Sequence, residues 1–360
     1  MGRGVQARIF PYVFGHFRPH DHVLVNGAIE YPVLTGVFMW GSGVFADSAD
    51  EYLVHSAVLL APFGLLAAFL LARLGGARAL LFAAAPAIVL YAFHNWDLLV
   101  VAATVGGFYI WRKGDPHLAA ALFAVGASLK MYPALFVAPL VLEQLRARNG
   151  RQAAEVAAFG AGTFAVINLP FVLRNFDGWW ATYAFHRARG PNFDSIWNLT
   201  DAGLFSIPRL DAPGVNLAST LLMLVFFAAA LGAGWIRSRR EKVYPVVPVS
   251  AALIASFLLW NKVHSPQYTL WILPFFVLVS IPIGWWIAYS LVDLMVYVGV
   301  FTFFYDYAAR GIFESPAQDA MEAGVWLRAL LLLLLFVVFL RSSSHPPDTV
   351  QPVGEPVGAA

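Results

Sequence analysis

The sequence has no cysteine in 360 residues, only 12% of its residues are charged, and it opens without an apolar run long enough for a signal peptide or a spanning helix. The first absence removes disulfides, thiolate metal sites and cysteine nucleophiles together. The second is about half the roughly 25% charge of an ordinary soluble domain and excludes a water-soluble globular enzyme. A formal net charge of +2 leaves no basic surplus for a nucleic-acid partner. Any catalysis must then use carboxylate, His, Lys, Arg or Tyr.

What the sequence has instead is apolar surface, 60% of its residues being hydrophobic and 30 of them Phe. A window of about 20 residues finds apolar segments at 31–46, 53–72, 79–93, 97–111, 118–128, 131–143, 153–173, 215–236, 244–260, 268–283, 285–304 and 322–340. This pattern predicts an all-α, polytopic integral membrane protein with about ten transmembrane helices plus re-entrant or juxtamembrane pieces. Basic residues sit in the short connections: Arg73 and Arg78, Arg112 and Lys113, Arg146, Arg148 and Arg151, Arg237 to Lys242, and Arg341. By the positive-inside rule these ends are cytoplasmic. Residues 1–52 are then external, with a juxtamembrane segment at 31–46. Residues 53–341 form the transmembrane domain with an external loop at 174–214, and the Ser- and Pro-rich residues 342–360 form a disordered cytoplasmic tail.

Between the basic clusters at 112–113 and 146–151 the chain must leave and return, yet 117–143 is too short for two full spans at 1.5 Å per residue. Two short helices meeting at Ser128-Leu129-Lys130-Met131-Tyr132-Pro133 are expected, and such a break is tolerated only where it lines a protein or water-filled cavity.

With that topology the polar chemistry gathers on the external side. Lys262, His264 and Gln267 fall within one short connection, so an ammonium, an imidazole and an amide can converge on an anion such as a phosphate; snorkelling interfacial side chains are the plainer account. Lys130 is a lone ammonium in an apolar stretch, which is costly and usually functional, although it too can snorkel. Asp97, after His94-Asn95-Trp96, is either an acid, a base or a sugar-orienting group, or a carboxylate satisfied by a helix N-terminus. His186, Arg187 and Arg189 precede Gly190-Pro191-Asn192-Phe193-Asp194-Ser195, a segment that either holds an acidic substrate or is a solvated turn. Glu30 is either a catalytic carboxylate or an ordinary loop residue. Asp293, inside a span, is expected to hydrogen-bond a neighbouring helix, and the Asn198-Leu199-Thr200 sequon is a chance match.

Four stretches in order, Glu30-Tyr31-Pro32-Val33-Leu34, Asn95-Trp96-Asp97, Ser128 to Pro133, and Lys262-Val263-His264-Ser265-Pro266-Gln267-Tyr268 before Trp271 and Pro274, resemble glycosyltransferase family 87. These are polyprenol-phosphate-mannose-dependent α-mannosyltransferases of the GT-C fold. The resemblance implies transfer of mannose or a related sugar, with inversion, from a polyprenyl-phosphate donor to a glycolipid or glycan acceptor outside the plasma membrane. It implies that Lys130, Lys262 and His264, with Arg187 and Arg189, contact the donor phosphate. Tyr31, Asn95, Gln267 and Tyr268 would then line the sugar or acceptor pocket, with Asp97 and Glu30 as the catalytic carboxylates. No cofactor or metal is expected, since no compact carboxylate cluster asks for one.

The family opens with a spanning helix and an Asp well before the Tyr-Pro motif, and the count back from Tyr31 lands at or before Met1. Either the start codon is misplaced, which is favoured and leaves the chain inactive as given, or Asp21, Glu30 or Asp47 takes over the role of base. A transporter or lipid flippase is the competing class, and it predicts polar residues through the middle of several spans. A non-enzymatic scaffold leaves the Lys, His and Gln cluster unexplained.

Overall fold

The structure, a computed structural model, describes residues 9–198, 211–311 and 315–344. A two-stranded antiparallel hairpin, β1 (His16–Arg18) and β2 (Val23–Val25), opens the described chain. Helices follow: α1 (Val33–Gly43), α2 (Ala49–Gly75), α3 (Leu80–Ala83), α4 (Pro86–Tyr91), α5 (Asp97–Arg112), α6 (Pro116–Leu129) and α7 (Val137–Arg146). The second half holds α8 (Gly150–Arg174), α9 (Phe176–Ala188), α10 (Ala212–Glu241), α11 (Val246–Trp260), α12 (Thr269–Leu278), α13 (Ile283–Tyr305) and α14 (Pro316–Arg341). Helix starts follow their caps: Ser48, Asp115, Asn149 and Asp211 each accept a backbone N–H from the first turn they precede.

Of the expected spans, about ten in number, the structure supports five by length and composition. Among the described residues five helical stretches are long and apolar enough to cross a membrane: Ala49–Ala83, Gly150–Arg174, Ala212–Glu241, Ile283–Arg310 and Pro316–Arg341. The remaining apolar segments are shorter helices, and the sequence shows why. Pro86 follows a break at Ala84 and Ala85 and splits 79–93, while α12 stops at Leu278 and turns through Val279–Pro282. The helix also breaks at Lys130, after which Tyr132–Phe136 winds as 3-10 helix before α7. The 174–214 stretch is not simply a loop, because it contains α9, and the N-terminal stretch carries the β-hairpin. Within the expected tail, Ser344 pairs with Val279 and Ser280 N–H donates to the Ser343 carbonyl, so 342–344 is ordered; residues 345–360 and part of the sequon lie outside the described residues.

The short helices are the core. Every residue of α12 is buried, and α11 is buried except at Phe257 and Trp260, as expected of helices apolar on all sides. Around them α2, α8, α10 and α13 leave large apolar side chains such as Leu65, Val166, Leu221 and Leu291 exposed, the pattern of a lipid-facing ring.

The bundle has two chemically distinct ends. At one, arginines close helix C-termini: Arg78 donates to the carbonyls of Phe276, Val279 and Ile281, Arg146 to that of Ser238, and Arg237 to those of Leu340 and Ser342. At the other meet the Glu30–Pro32 segment, the turn before α5, the break after α6, the end of α9, the α11–α12 connection and the last turns of α13.

Candidate functional site

Helices α5 and α6 form an antiparallel hairpin closed by Gly114, whose φ of 91° suits glycine alone, and by the Asp115 cap. Its open end sets Asp97 in the first turn of α5 and Lys130 at the C-cap of α6. A carboxylate thus stands at the positive end of one helix dipole and an ammonium at the negative end of the other. Lys130 Nζ donates to Asp97 Oδ1 at 2.6 Å, and Trp271 Nε1 donates to the same oxygen at 2.6 Å. The rings of Tyr31, Tyr268 and Trp271 each lie 5.2 Å from the ammonium, within cation–π range. Asp97 is 0% and Lys130 6% exposed, so the pair is sealed.

Above it opens a cavity of about 260 Å³. It is lined by the polar side chains of Glu30, His94, Asn95, His186, Arg189 and Gln267 and by the apolar Val300, Phe301 and Phe304 of α13. The Glu30–Pro32 backbone is held from several directions. Tyr12 Oη donates to the carbonyls of Tyr31 (2.6 Å) and Pro32 (3.0 Å), Thr182 Oγ1 to that of Ile29 (2.8 Å), and His186 Nε2 to that of Glu30 (2.7 Å). Because a carbonyl only accepts, His186 carries its proton on Nε2; burial lowers its pKa and keeps it neutral. The Glu30 carboxylate stays accessible, its side chain 38% exposed, 3.5 Å from Arg189 Nη1. The Arg189 guanidinium is oriented by Asn192 Oδ1, which accepts from Nη2 at 2.7 Å. Asn95 Nδ2 donates to Tyr31 Oη at 2.8 Å, and Tyr31 has its pKa raised well above the ordinary tyrosine value by burial.

The structure therefore brings Glu30, Tyr31, Asn95, Arg189, Gln267 and Tyr268 around one cavity. It does not bring Lys262, His264 and Gln267 onto one anion. Lys262 Nζ turns to the carbonyls of Arg187 (3.2 Å) and Arg189 (2.6 Å) and to Asn216 Oδ1 (2.5 Å), where burial lowers its pKa to about 8. His264 Nδ1 donates to the Leu258 carbonyl at 3.1 Å, and burial holds its pKa well below the usual imidazole range. Adjacent side chains along an irregular connection point in different directions, which residue spacing alone does not reveal. Arg187 is exposed and does not line the cavity. Asp97 and Lys130 lie under the floor rather than in the open space. Asp293 accepts from Thr269 Oγ1 at 2.5 Å, the expected interhelical bond. Among the described residues no group of three or more His, Asp or Glu is arranged to hold a metal ion.

Two features escape a reading by segments. The Asp97–Lys130 contact was available from symmetry, since both residues stand almost equally far from the Gly114 turn. Arg328, inside the apolar run of α14, is 2% exposed and reaches Asp194, itself fully buried; its signal in the sequence is a lone cation among leucines.

Fold and site together define a polytopic membrane protein with a ligand-sized cavity, lined by both polar and apolar side chains, at one end of its bundle. The model of glycosyltransferase family 87 matches residues 30–266, beginning at the Glu30-Tyr31-Pro32 motif, and the chain belongs to this family of glycosyltransferases. No curated protein matches the chain.

Proposed function

We propose that the protein transfers mannose, or a closely related sugar, from a polyprenyl-phosphate donor to a glycolipid or glycan acceptor, with inversion. The observation that carries this reading is the mixed lining of the cavity: carboxylate, guanidinium, imidazole and amides share it with Val300, Phe301 and Phe304. An amphiphile with a charged, hydroxyl-rich head and a hydrocarbon tail suits such a lining. Family membership supplies the reaction class.

In this mechanism the acceptor hydroxyl attacks the anomeric carbon from the face opposite the phosphate. One carbon–oxygen bond forms as the bond to the phosphate oxygen breaks, and the hydroxyl proton passes to Glu30. The departing lipid phosphate keeps the bonding electron pair, and its developing charge is met by Arg189. The Glu30–Arg189 contact is long and partly exposed, so it contributes little on its own. A phosphate, which accepts two guanidinium hydrogen bonds at once, draws Arg189 away and releases Glu30 as a base. Asn95, Gln267, Tyr268 and Tyr31 orient the sugar or the acceptor. Asp97 acts through Lys130, whose ammonium lends positive potential to the cavity floor, and Lys262 and His264 act by holding the loops that carry Arg189 and Gln267. The cavity end faces outward from the plasma membrane and the arginine-capped end, with the C-terminus, faces the cytoplasm.

Membranes containing the protein would be supplied with radiolabelled polyprenyl-phosphate mannose and the label in glycolipid and glycan counted. Label in the acceptor, lost on Glu30→Gln, is the expected result. Transfer only from a polyprenyl-phosphate arabinose donor would correct the sugar. Donor crossing the bilayer with no labelled acceptor would replace the reading with that of a flippase.

A further inference from the structure

Arg328 belongs to none of the cavity's walls, yet it is a buried cation in the apolar run of α14, a placement costly enough to require a reason. Its Nη2 donates to the Asp194 main-chain carbonyl at 2.5 Å and lies 3.9 Å from the Asp194 carboxylate. Asp194 sits in a tight turn, where Ser195 N–H and Oγ both bond the Asn192 carbonyl, at 3.0 and 2.8 Å. Asn192 in turn fastens the α11–α12 connection: its N–H donates to the Lys262 carbonyl at 3.0 Å, its Nδ2 to the His264 carbonyl at 2.8 Å, and its Oδ1 receives Arg189. Next to it Phe193 packs edge-on against Phe304 at 4.7 Å and, with Ile196, covers the small cluster of Val296, Val300, Met321 and Val325 between α13 and α14.

Behind the turn a cavity of about 10 Å³ lies between Asp194, His264 and Arg328, room for about one water. His264 presents Nε2 there as an acceptor, because its Nδ1 proton is committed to Leu258, and Arg328 presents Nη1 as a donor.

We infer that Arg328 is a positioning residue for sugar transfer: it anchors the Asn192–Ser195 turn from within the membrane and thereby sets Arg189 and Phe193 in the cavity wall. The effect on transfer rests on the proposed function; the anchoring does not. The observations favour the main-chain bond over the carboxylate contact, since the first is short and the second long. A simple counter-ion to Asp194 needs no bond to the backbone.

The test uses the full chain in detergent or nanodiscs, with hydrogen–deuterium exchange of the 189–198 peptide followed by mass spectrometry. Arg328→Met combined with Asp194→Asn leaves no lone buried charge, so the double variant folds, and its melting temperature checks this. The expected result is exchange in 189–198 about tenfold faster in the double variant, the size of one lost charge-assisted hydrogen bond, with α5 and α11 unchanged. Asp194→Asn alone, which keeps the main-chain bond, should exchange close to the unaltered protein. With the donor, the double variant should show kcat lowered about tenfold, since Arg189 is misplaced for the departing phosphate rather than removed. Unchanged exchange in the double variant, or equal loss in Asp194→Asn alone, would overturn the inference. If the unaltered protein transfers no sugar while exchange behaves as expected, it is the proposed function that fails and the anchor that stands.

Discussion

Two carboxylate–cation pairs stand at the same end of the bundle and share almost nothing but their chemistry. Asp97 and Lys130 are 2.6 Å apart, buried, and wrapped by Tyr31, Tyr268 and Trp271. Glu30 and Arg189 are 3.5 Å apart, with side chains 38% and 26% exposed. In the first pair desolvation makes separation expensive, so neither group is free to meet a substrate. In the second, water has already weakened the attraction and a ligand can replace it. Solvent access, more than residue type, separates a carboxylate that holds a fold from one able to react.

The largest effect is expected where the sealed pair is broken. Lys130→Met strands the Asp97 carboxylate and should cost about 3–5 kcal/mol, seen as a lower melting temperature in detergent, and Lys130→Met with Asp97→Asn should recover most of it. If the single substitution melts like the unaltered protein, the pair is not sealed. Glu30→Gln should do the reverse: sugar transfer falls about 10²–10⁴-fold, the range for loss of a general base, with the melting temperature unchanged. Arg189→Ala should slow transfer by about ten- to a hundredfold, the equivalent of a charged hydrogen bond worth about 1.5–3 kcal/mol, again without loss of stability. Trp271→Phe removes one donor from Asp97 and should lower stability by about 1–2 kcal/mol while leaving Lys130 in place. The smallest effect concerns pH. Burial raises the Asp194 pKa to about 7, against the attraction of Arg328, with Asn192 and Arg189 also lowering it and the neutral His264 beside it. The folded state therefore holds a proton that the unfolded chain releases near pH 4, so this contribution to stability is full below about pH 4 and is lost as pH rises through 7. Across that window melting temperature should decline more steeply in the unaltered protein than in Asp194→Asn.

The sequence was informative wherever a rule is local. Proline and a lone lysine marked the break after α6, and the basic connections fell at one end, where Arg78, Arg146 and Arg237 close neighbouring helices. It was less informative about length, because an apolar run reads alike whether it crosses a bilayer or lies within the protein; α11 and α12 are core helices whose covering comes from other helices. It was least informative about direction. Lys262, His264 and Gln267 share one connection, yet the first turns to the Arg187 and Arg189 carbonyls, the second to Leu258, and the last toward the cavity. Those choices depend on Asn216, Asn192 and Arg328, residues distant in sequence that no window connects.

The apolar wall formed by Val300, Phe301 and Phe304 also bears on how activity should be counted. The polyprenyl-phosphate donor of the proposed function would approach along α13 by diffusion in two dimensions, and the concentration the cavity experiences would be the donor's mole fraction among lipids, not its molarity in the tube. Diluting vesicles with buffer should leave the initial rate per enzyme unchanged, whereas adding inert lipid to the same vesicles should slow it. With such a donor, a Michaelis constant would have meaning only when stated per lipid.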